Sequence, residues 1–371
     1  MTNPTAVLPT LTIGIDLGDR YAHVCMIDRG AKLTHEPRVS MTPGAFRKYF
    51  RRLRTKWSEK LREDDLCRVV FETGTHSAWV DEVLAELGFE TVIANPRIMM
   101  QPGGGRRRRK NDKIDAAMLA RMGRADPELL APMKHRGAEV RVDLTLIRAR
   151  SVAVNSRTML INSVRGLVKP HGFRLLGCST AAFHKRAPEQ IAHEGLRPAL
   201  LPLVKLIEEL TGTIKTYDRE IDRLAKTKYR ESQCLTQVTG VANLTALTYL
   251  LTIERHERFR RSRSVGPYLG LVPRQFQSGN NDPELRITKT GDPLLRRILV
   301  QSAQYILGPL NTVDSDLRRF GLSMAEGSKS SRKKAVVAVA RRLAVLLHAL
   351  WRTGEVYDPL RQTNARLARA S

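Results

Sequence analysis

The order of apolar and polar positions divides the chain into stretches of different rhythm. Residues 11–28, "LTIGIDLGDRYAHVCMID", hold a nearly continuous apolar run, a tight "LGD" turn and an alternating run, "YAHVCMI". Continuous and alternating runs both suit strands, so the pattern predicts two of them. Around 43–61 the rhythm becomes helical, with Phe46, Phe50 and Leu53 on one face of a basic amphipathic segment. "CRVVFET" predicts another buried strand, "SAWVDEVLAELG" a helix stopped by Gly88, and "FETVIAN" a further strand. This order predicts a mixed sheet with helices packed on it.

Residues 124–137, "RADPELLAPMKHRG", read as a linker, and the pattern beyond it is helical. Leu144, Ile147, Ser151, Val154, Thr158, Ile161, Arg165 and Val168 fall at alternating three- and four-residue steps. So do Leu200, Leu203, Ile207, Leu210, Ile214, Tyr217, Ile221 and Leu224. Both stripes exceed three heptads, which fits an antiparallel coiled-coil hairpin with its reversal in "KPHGFRLLGCSTAAFHK", or an ordinary bundle core. A second helical unit follows. "LTQVTGVANLTALTYLLTI" predicts two short helices around Gly240, whose loop partly resembles a phosphate-gripping helix-hairpin-helix, with Ala242 near the position of the usual second glycine. In "TGDPLLRRILVQSAQYIL", Asp292 fits an N-cap and Pro293 the first helical position. A basic helix over 330–352 and an Arg-rich tail close the chain. The domains expected are 10–130, 138–230 and 231–355, with a basic tail over 356–371.

Charge changes the picture. The 371 residues carry a formal net charge of +26, and such self-repulsion calls for a polyanionic partner, nucleic acid above all. An anionic membrane is the alternative, but no long apolar span or signal peptide is evident. Cys25, Cys67, Cys178 and Cys234 lie far apart with no CxxC, which argues against a zinc module or disulfide frame and for a reducing, cytoplasmic setting.

The chemistry concentrates around "RRRRKNDKIDAAMLAR", residues 106–121. Pro102 and Gly103 to Gly105 precede it, so Arg106, Arg107, Arg108, Arg109 and Lys110 are expected on a loop. Asp112 and Asp115 then open a helix three residues apart, on one face. Asp16 ends the first strand and Glu72 ends another. Carboxylates brought together at ~4 Å repel by about 4 kcal/mol at an effective dielectric of ~20. A bound cation relieves this, and an all-oxygen set suits Mg2+ or Mn2+. Read separately, "DKID" also fits a capping box and "IGIDLG" the strand end of a sugar kinase or actin-like ATPase. The conjunction of four acids with a basic loop favours a site where cations recruit phosphates to a metal.

"IGIDLGDRYAHVCMID", "VVFETG", "NPR" and "KNDKIDAAMLAR" resemble the amino-terminal DEDD domain of transposases of the insertion-sequence-110 family, relatives of pilin-gene DNA invertases. "LTQVTGVANLTALTYL", "YLGLVPRQFQSGN" and "ITKTGDPLLRRILVQSA" resemble that family's carboxy-terminal transposase domain, in family order. The resemblance implies a RuvC-like, ribonuclease-H-type α/β first domain, with Asp16, Glu72, Asp112 and Asp115 as the metal tetrad. It implies a serine nucleophile at Ser278 of "FQSG" in a mainly α-helical last domain. It also implies a structured guide RNA encoded by the element, pairing with double-stranded donor and target DNA. Arg274, Arg286 and Lys289 flank the serine and fit phosphate contacts, while Ser262 and Ser264 are rival hydroxyls. Strand exchange between two duplexes favours a homo-oligomer, a dimer or tetramer. A water-using nuclease or junction resolvase of the same fold, and a non-catalytic nucleic-acid-binding protein, are the competing readings.

Overall fold

In the computed structural model, residues 9–58, 66–96, 111–275 and 285–370 are described. The chain divides into two compact units, Met1–His135 and Arg136–Ser371.

The first unit is built on a mixed sheet of strands β1 (Leu11–Leu17), β2 (Tyr21–Ile27), β3 (Leu33–His35), β4 (Val39–Ser40), β5 (Cys67–Glu72) and β6 (Glu90–Ala94). The strand order is β3-β2-β1-β5-β6, with β4 also paired to β2. The pairs β1–β2, β2–β3 and β2–β4 are antiparallel, while β1–β5 and β5–β6 run parallel. Helices α1 (Pro43–Ser58), α2 (Ser77–Glu86) and α3 (Asp112–Ala125) pack on this sheet. As the apolar spacing predicts, Phe46, Phe50 and Leu53 of α1 are buried. They meet Ile13, Ile15, Val69 and Phe71 in one core, which also takes in Val80 and Leu84 of α2. The opposite sheet face packs on α3, with Val70, Val92 and Ala94 against Leu119 and Met122, and Cys25 against Ala116 and Ala117. Side chains alternate between faces along a strand, so residues 13, 15, 69 and 71 line one side and 14, 16, 70 and 72 the other.

The segment expected as a linker is partly built into this unit. Pro127–Leu130 forms a 3-10 turn capped by Asp126, Leu130 is fully buried, and the Met133 amide donates to the Ile93 carbonyl at 3.0 Å. These bonds satisfy an edge of β6 that a solvated linker leaves open.

The second unit is helical: α4 (Ala138–Leu167), α5 (Phe183–Gln190), α6 (Arg197–Thr227), α7 (Ser232–Thr236), α8 (Asn243–Ile253), α9 (Val265–Tyr268), α10 (Pro293–Leu307), α11 (Asp316–Ala325), α12 (Lys329–Thr353) and α13 (Arg361–Ala370). Helices α4 and α6 pair antiparallel, since Lys228 meets Asp143, Arg150 meets Asp218 and Arg157 meets Thr211. On α6, Leu200, Ile207, Ile214, Ile221 and Leu224 are buried as the stripe predicts, and the buried face extends beyond it. Val204, Thr211 and Ala225 are buried, while Leu203, Leu210 and Tyr217 are only half-buried. On α4, Thr158 is exposed and the middle of the helix is polar. There Arg150 pairs with Asp218 at 2.5 Å, and Arg297 of α10 donates to Ser151 and Asn155. A seam that carries charge-assisted bonds cannot keep a strict apolar heptad. The cap at α10 matches its sequence signal: Asp292 accepts from the Leu294 and Leu295 amides at 2.9 and 3.0 Å, with Pro293 following it. Leu250, Leu299, Val339, Leu343 and Leu347 belong to the core of this unit.

Candidate metal centre and nucleic-acid interface

Where α3 crosses β1 and β2 the contact is made by small residues. A Cβ on Gly14 of β1 would lie 2.0 Å from the Ala116 carbonyl oxygen and 2.5 Å from the Ala120 nitrogen. A Cβ on Gly123 would lie 2.3 Å from Val70. The α3 backbone therefore rests directly on β1 and β5, a contact only glycine permits. This approach brings the start of α3 down to the strand end two residues beyond Gly14, where Asp16 stands.

The β1–β2 register completes the site. Asp16 pairs with His23 across the antiparallel ladder, as Gly14 pairs with Cys25, so the imidazole projects on the same face as the carboxylate. Ligating atoms of Asp16, His23 and Asp112 all lie within 4.8 Å of one another. His23 Nδ1 is 3.6 Å from Asp112 Oδ2; the histidine side chain is 14% exposed and the aspartate 53%. Three separate elements thus contribute one ligating atom each. Neither aspartate of "DKID" is the helix cap: Asn111 takes that role and accepts from the Lys113 amide at 3.1 Å. The capping-box reading therefore fails, and the carboxylates stand in the first turn, where the helix dipole favours negative charge.

Of the four acids singled out in the sequence, the structure brings Asp16 and Asp112 together. Glu72 ends β5 beside β1, on the α3 face, but lies outside the three-residue group. Asp115, half-buried, sits on α3 in the row of Leu119 and Met122, which pack over β5 and β6, and is also outside the group. His23 was not read from the sequence. Its signal is the hairpin register: a two-strand turn centred between residues 19 and 20 sets 16 opposite 23. The donor set fits a divalent cation, with two carboxylates and an imidazole at the end of the interior strands β1 and β2, and Asp112 is half-exposed, leaving room for a phosphate.

In the second unit, residues 272–274 and 286–288 form a short antiparallel stem. The Arg274 amide donates to the Arg286 carbonyl at 3.0 Å, and the Thr288 amide to the Val272 carbonyl at 2.9 Å. Arg274, Arg286 and Lys289 are exposed around this stem. Ser278 and the 106–110 cations lie outside the described residues. Beside the stem runs a groove of about 1350 Å3, apolar inside with Phe320 and Val337 and bordered by Arg286, Lys289, Lys333 and Arg341. Ser262, a rival hydroxyl, is engaged: its Oγ lies 2.9 Å from His348 Nδ1, while His348 Nε2 lies 2.9 Å from the His256 carbonyl oxygen. Burial lowers the pKa of the His348 imidazole. The four cysteines are free thiols, and among the described residues no helix is long and apolar enough to cross a membrane.

A mixed sheet with two carboxylates and an imidazole gathered at a strand end, followed by a helical unit in a chain of net charge +26, is an arrangement compatible with a nucleic-acid-processing protein. The comparisons with known proteins make the class specific. Residues 13–171 match the transposase family of DEDD type named for IS110, and residues 232–312 match the family described as "Transposase IS116/IS110/IS902 family". The chain belongs to the IS110 family of transposases. It is similar to the transposase for insertion sequence element IS1111A of Coxiella burnetii, 27% identical over 93% of this chain and 90% of the relative. It is also similar to a probable family 20 transposase of Pseudomonas aeruginosa, 28% identical over 94% of this chain and 98% of that protein. The transposase for IS1328 of Yersinia enterocolitica is 26% identical over 95% and 100% respectively.

Proposed function

We propose that this transposase cuts and rejoins DNA through a covalent serine intermediate. Asp16, Glu72, Asp112 and Asp115 would hold a divalent cation, Mg2+ or Mn2+, which supplies charge neutralisation at the scissile phosphate. The observation that carries this reading is the convergence of Asp16 and Asp112 from β1 and α3, made possible by the close approach of α3 to β1 at Gly14. In the reaction, Ser278 Oγ forms a bond to phosphorus as the bond from phosphorus to one sugar oxygen breaks. The serine proton leaves to a neighbouring base or solvent, and the sugar oxygen ends as a hydroxyl. Attack of a second strand's hydroxyl on the phosphoserine reverses these changes and conserves the phosphodiester. Arg274, Arg286 and Lys289 border the residues that carry Ser278 and would orient the phosphate.

The mixed sheet supports a ribonuclease-H-like, RuvC-like reading of residues 10–130. The antiparallel α4–α6 pair supports a coiled-coil spacer over 138–230, ahead of a transposase domain over 231–355 and a basic tail over 356–371. The start of α12 carries Lys329, Arg332, Lys333 and Lys334, cations at the helix end where the dipole disfavours them. Such placement suits a polyanion docked there, either the DNA duplexes or a structured guide RNA from the element. Two duplexes exchanging strands need several sites, hence a dimer or tetramer in the cytoplasm. Incubating the full chain with end-labelled DNA of its own element ends, its RNA and Mg2+ tests the chemistry. A protein–DNA adduct that survives denaturation in wild type and disappears in Ser278→Ala supports the serine step. Cleavage without an adduct in both proteins shows a water nucleophile instead.

A further inference from the structure

Resting on the metal reading above, we infer that His23 is a third protein ligand of the divalent cation, through Nδ1, and that it biases the site toward Mn2+ over Mg2+. A tetrad of carboxylates accounts for Asp16 and Asp112 but not for the imidazole grouped with them. Three observations give the imidazole a role. The β1–β2 ladder fixes His23 opposite Asp16 on the face that receives α3. Nδ1 is 3.6 Å from Asp112 Oδ2, and one ligating atom of each of the three residues falls within 4.8 Å of the others. The imidazole is largely enclosed, 14% exposed, so its position is held by packing rather than by solvent.

Those separations suit ligation. Bonds of about 2.1 Å in an octahedral shell place neighbouring donors ~3.0 Å apart and opposite donors ~4.2 Å apart. A histidine–aspartate separation of 3.6 Å lies between the two, and the widest spread needs only a small contraction onto the ion. The mixed donor set has a consequence that four carboxylates lack. Mg2+ demands oxygen ligands and sheds water reluctantly, whereas an imidazole nitrogen suits transition metals. An imidazole nitrogen added to the carboxylates therefore favours Mn2+ relative to Mg2+.

The test uses the full chain and Mn2+ as its own spectroscopic probe. Pulsed electron paramagnetic resonance of bound Mn2+ should show nitrogen-14 modulation from a coordinated imidazole in wild type. The signal should vanish in both His23→Asn and His23→Gln, with Mn2+ affinity falling about 10-fold to 100-fold and Mg2+ affinity falling less. His76 is the informative control, since its Nε2 lies 3.6 Å from Asp19 in the same unit. His76→Asn should keep the signal. Thermal melts of each variant separate lost ligation from lost folding. Nitrogen modulation that persists in both His23 variants, or is absent from wild type carrying bound Mn2+, overturns the proposal. Mn2+ binding undiminished in Asp16→Asn removes the metal reading itself, and this outcome is distinct from the other two.

Discussion

The two faces of the β-sheet in the first unit differ most at β1 and β2, where one is packed with large side chains and the other with small ones. Toward α1 and α2 the sheet presents Ile13, Ile15, Val69 and Phe71, met by Phe46, Phe50 and Leu84. Toward α3 it presents Val70 and Val92 of β5 and β6, met by Leu119 and Met122, but at β1 and β2 only Gly14 and Cys25, met by Ala116 and Ala120. Large side chains bury the most area and hold helices away from the sheet. Small ones bury little and let a helix settle onto the strands. One face supplies stability, about 1.5–3 kcal/mol for each large apolar side chain fully buried. The other supplies position, because the start of α3 reaches Asp16 only if nothing stands between the backbones. Stability and site geometry are therefore separable by mutation.

The sharpest break is Gly14→Ala. Its methyl group would sit 2.0 Å from the Ala116 carbonyl oxygen, which is backbone and cannot rotate away. The helix must lift, and Asp112 lifts with it. Strand cleavage and Mn2+ binding should both fall to background, while overpacking costs about 1–3 kcal/mol of stability. Cleavage at wild-type level in a folded Gly14→Ala protein would show that the close approach is not what builds the site.

The complementary change is Phe50→Ala on the other face. Phe50 is fully buried, with ring centroids 4.5 Å from Phe46 and 5.9 Å from Phe89. Its truncation should cost about 3–5 kcal/mol, read by denaturant unfolding. Mn2+ affinity of the protein that remains folded should be unchanged, since no atom of the α3 face moves with it. Equal loss of affinity and stability would merge the two faces into one.

These roles were unevenly legible in the sequence. Phe46, Phe50 and Leu53 stand out because helical periodicity marks a buried face, and Asp292 because a cap followed by proline is a local signal. Strands β3 and β4 escaped, being three and two residues long and mostly polar. On α6 the apolar spacing correctly named Leu200, Ile207, Ile214, Ile221 and Leu224, whereas Leu203, Leu210 and Tyr217 are half-buried and Val204 and Thr211 join the buried face. Between the apolar clusters at the two ends of the α4–α6 pair, the polar Arg150–Asp218 contact interrupts the seam, and no apolar period marks it. Asp16 and Asp112 were readable as strand-end and helix-start acids. His23 was not, because its partner is fixed by pairing between strands, and pairing leaves no period along a single segment.

The smallest change, and the most discriminating, is at the cap of α3. The Asn111 side chain accepts from the Lys113 amide at 3.1 Å, and its carbonyl oxygen accepts from the Asp115 amide at 3.0 Å. Asn111→Ala removes the side-chain bond and should cost about 1 kcal/mol, while Asn111→Ser, which also caps well, should restore it. The loss matters less for stability than for order in the first turn, because Asp112 is the next residue. Fraying there lets its carboxylate leave the Asp16–His23 pair without disturbing the Gly14 contact one turn further on. Asn111→Ala should therefore weaken Mn2+ binding while leaving the core intact, and Asn111→Ser should recover both quantities together. If Asn111→Ala lowers the melting temperature yet binds Mn2+ as wild type does, the seat of α3 on Gly14 alone positions Asp112, and the division between a stabilising face and a positioning face becomes stricter still.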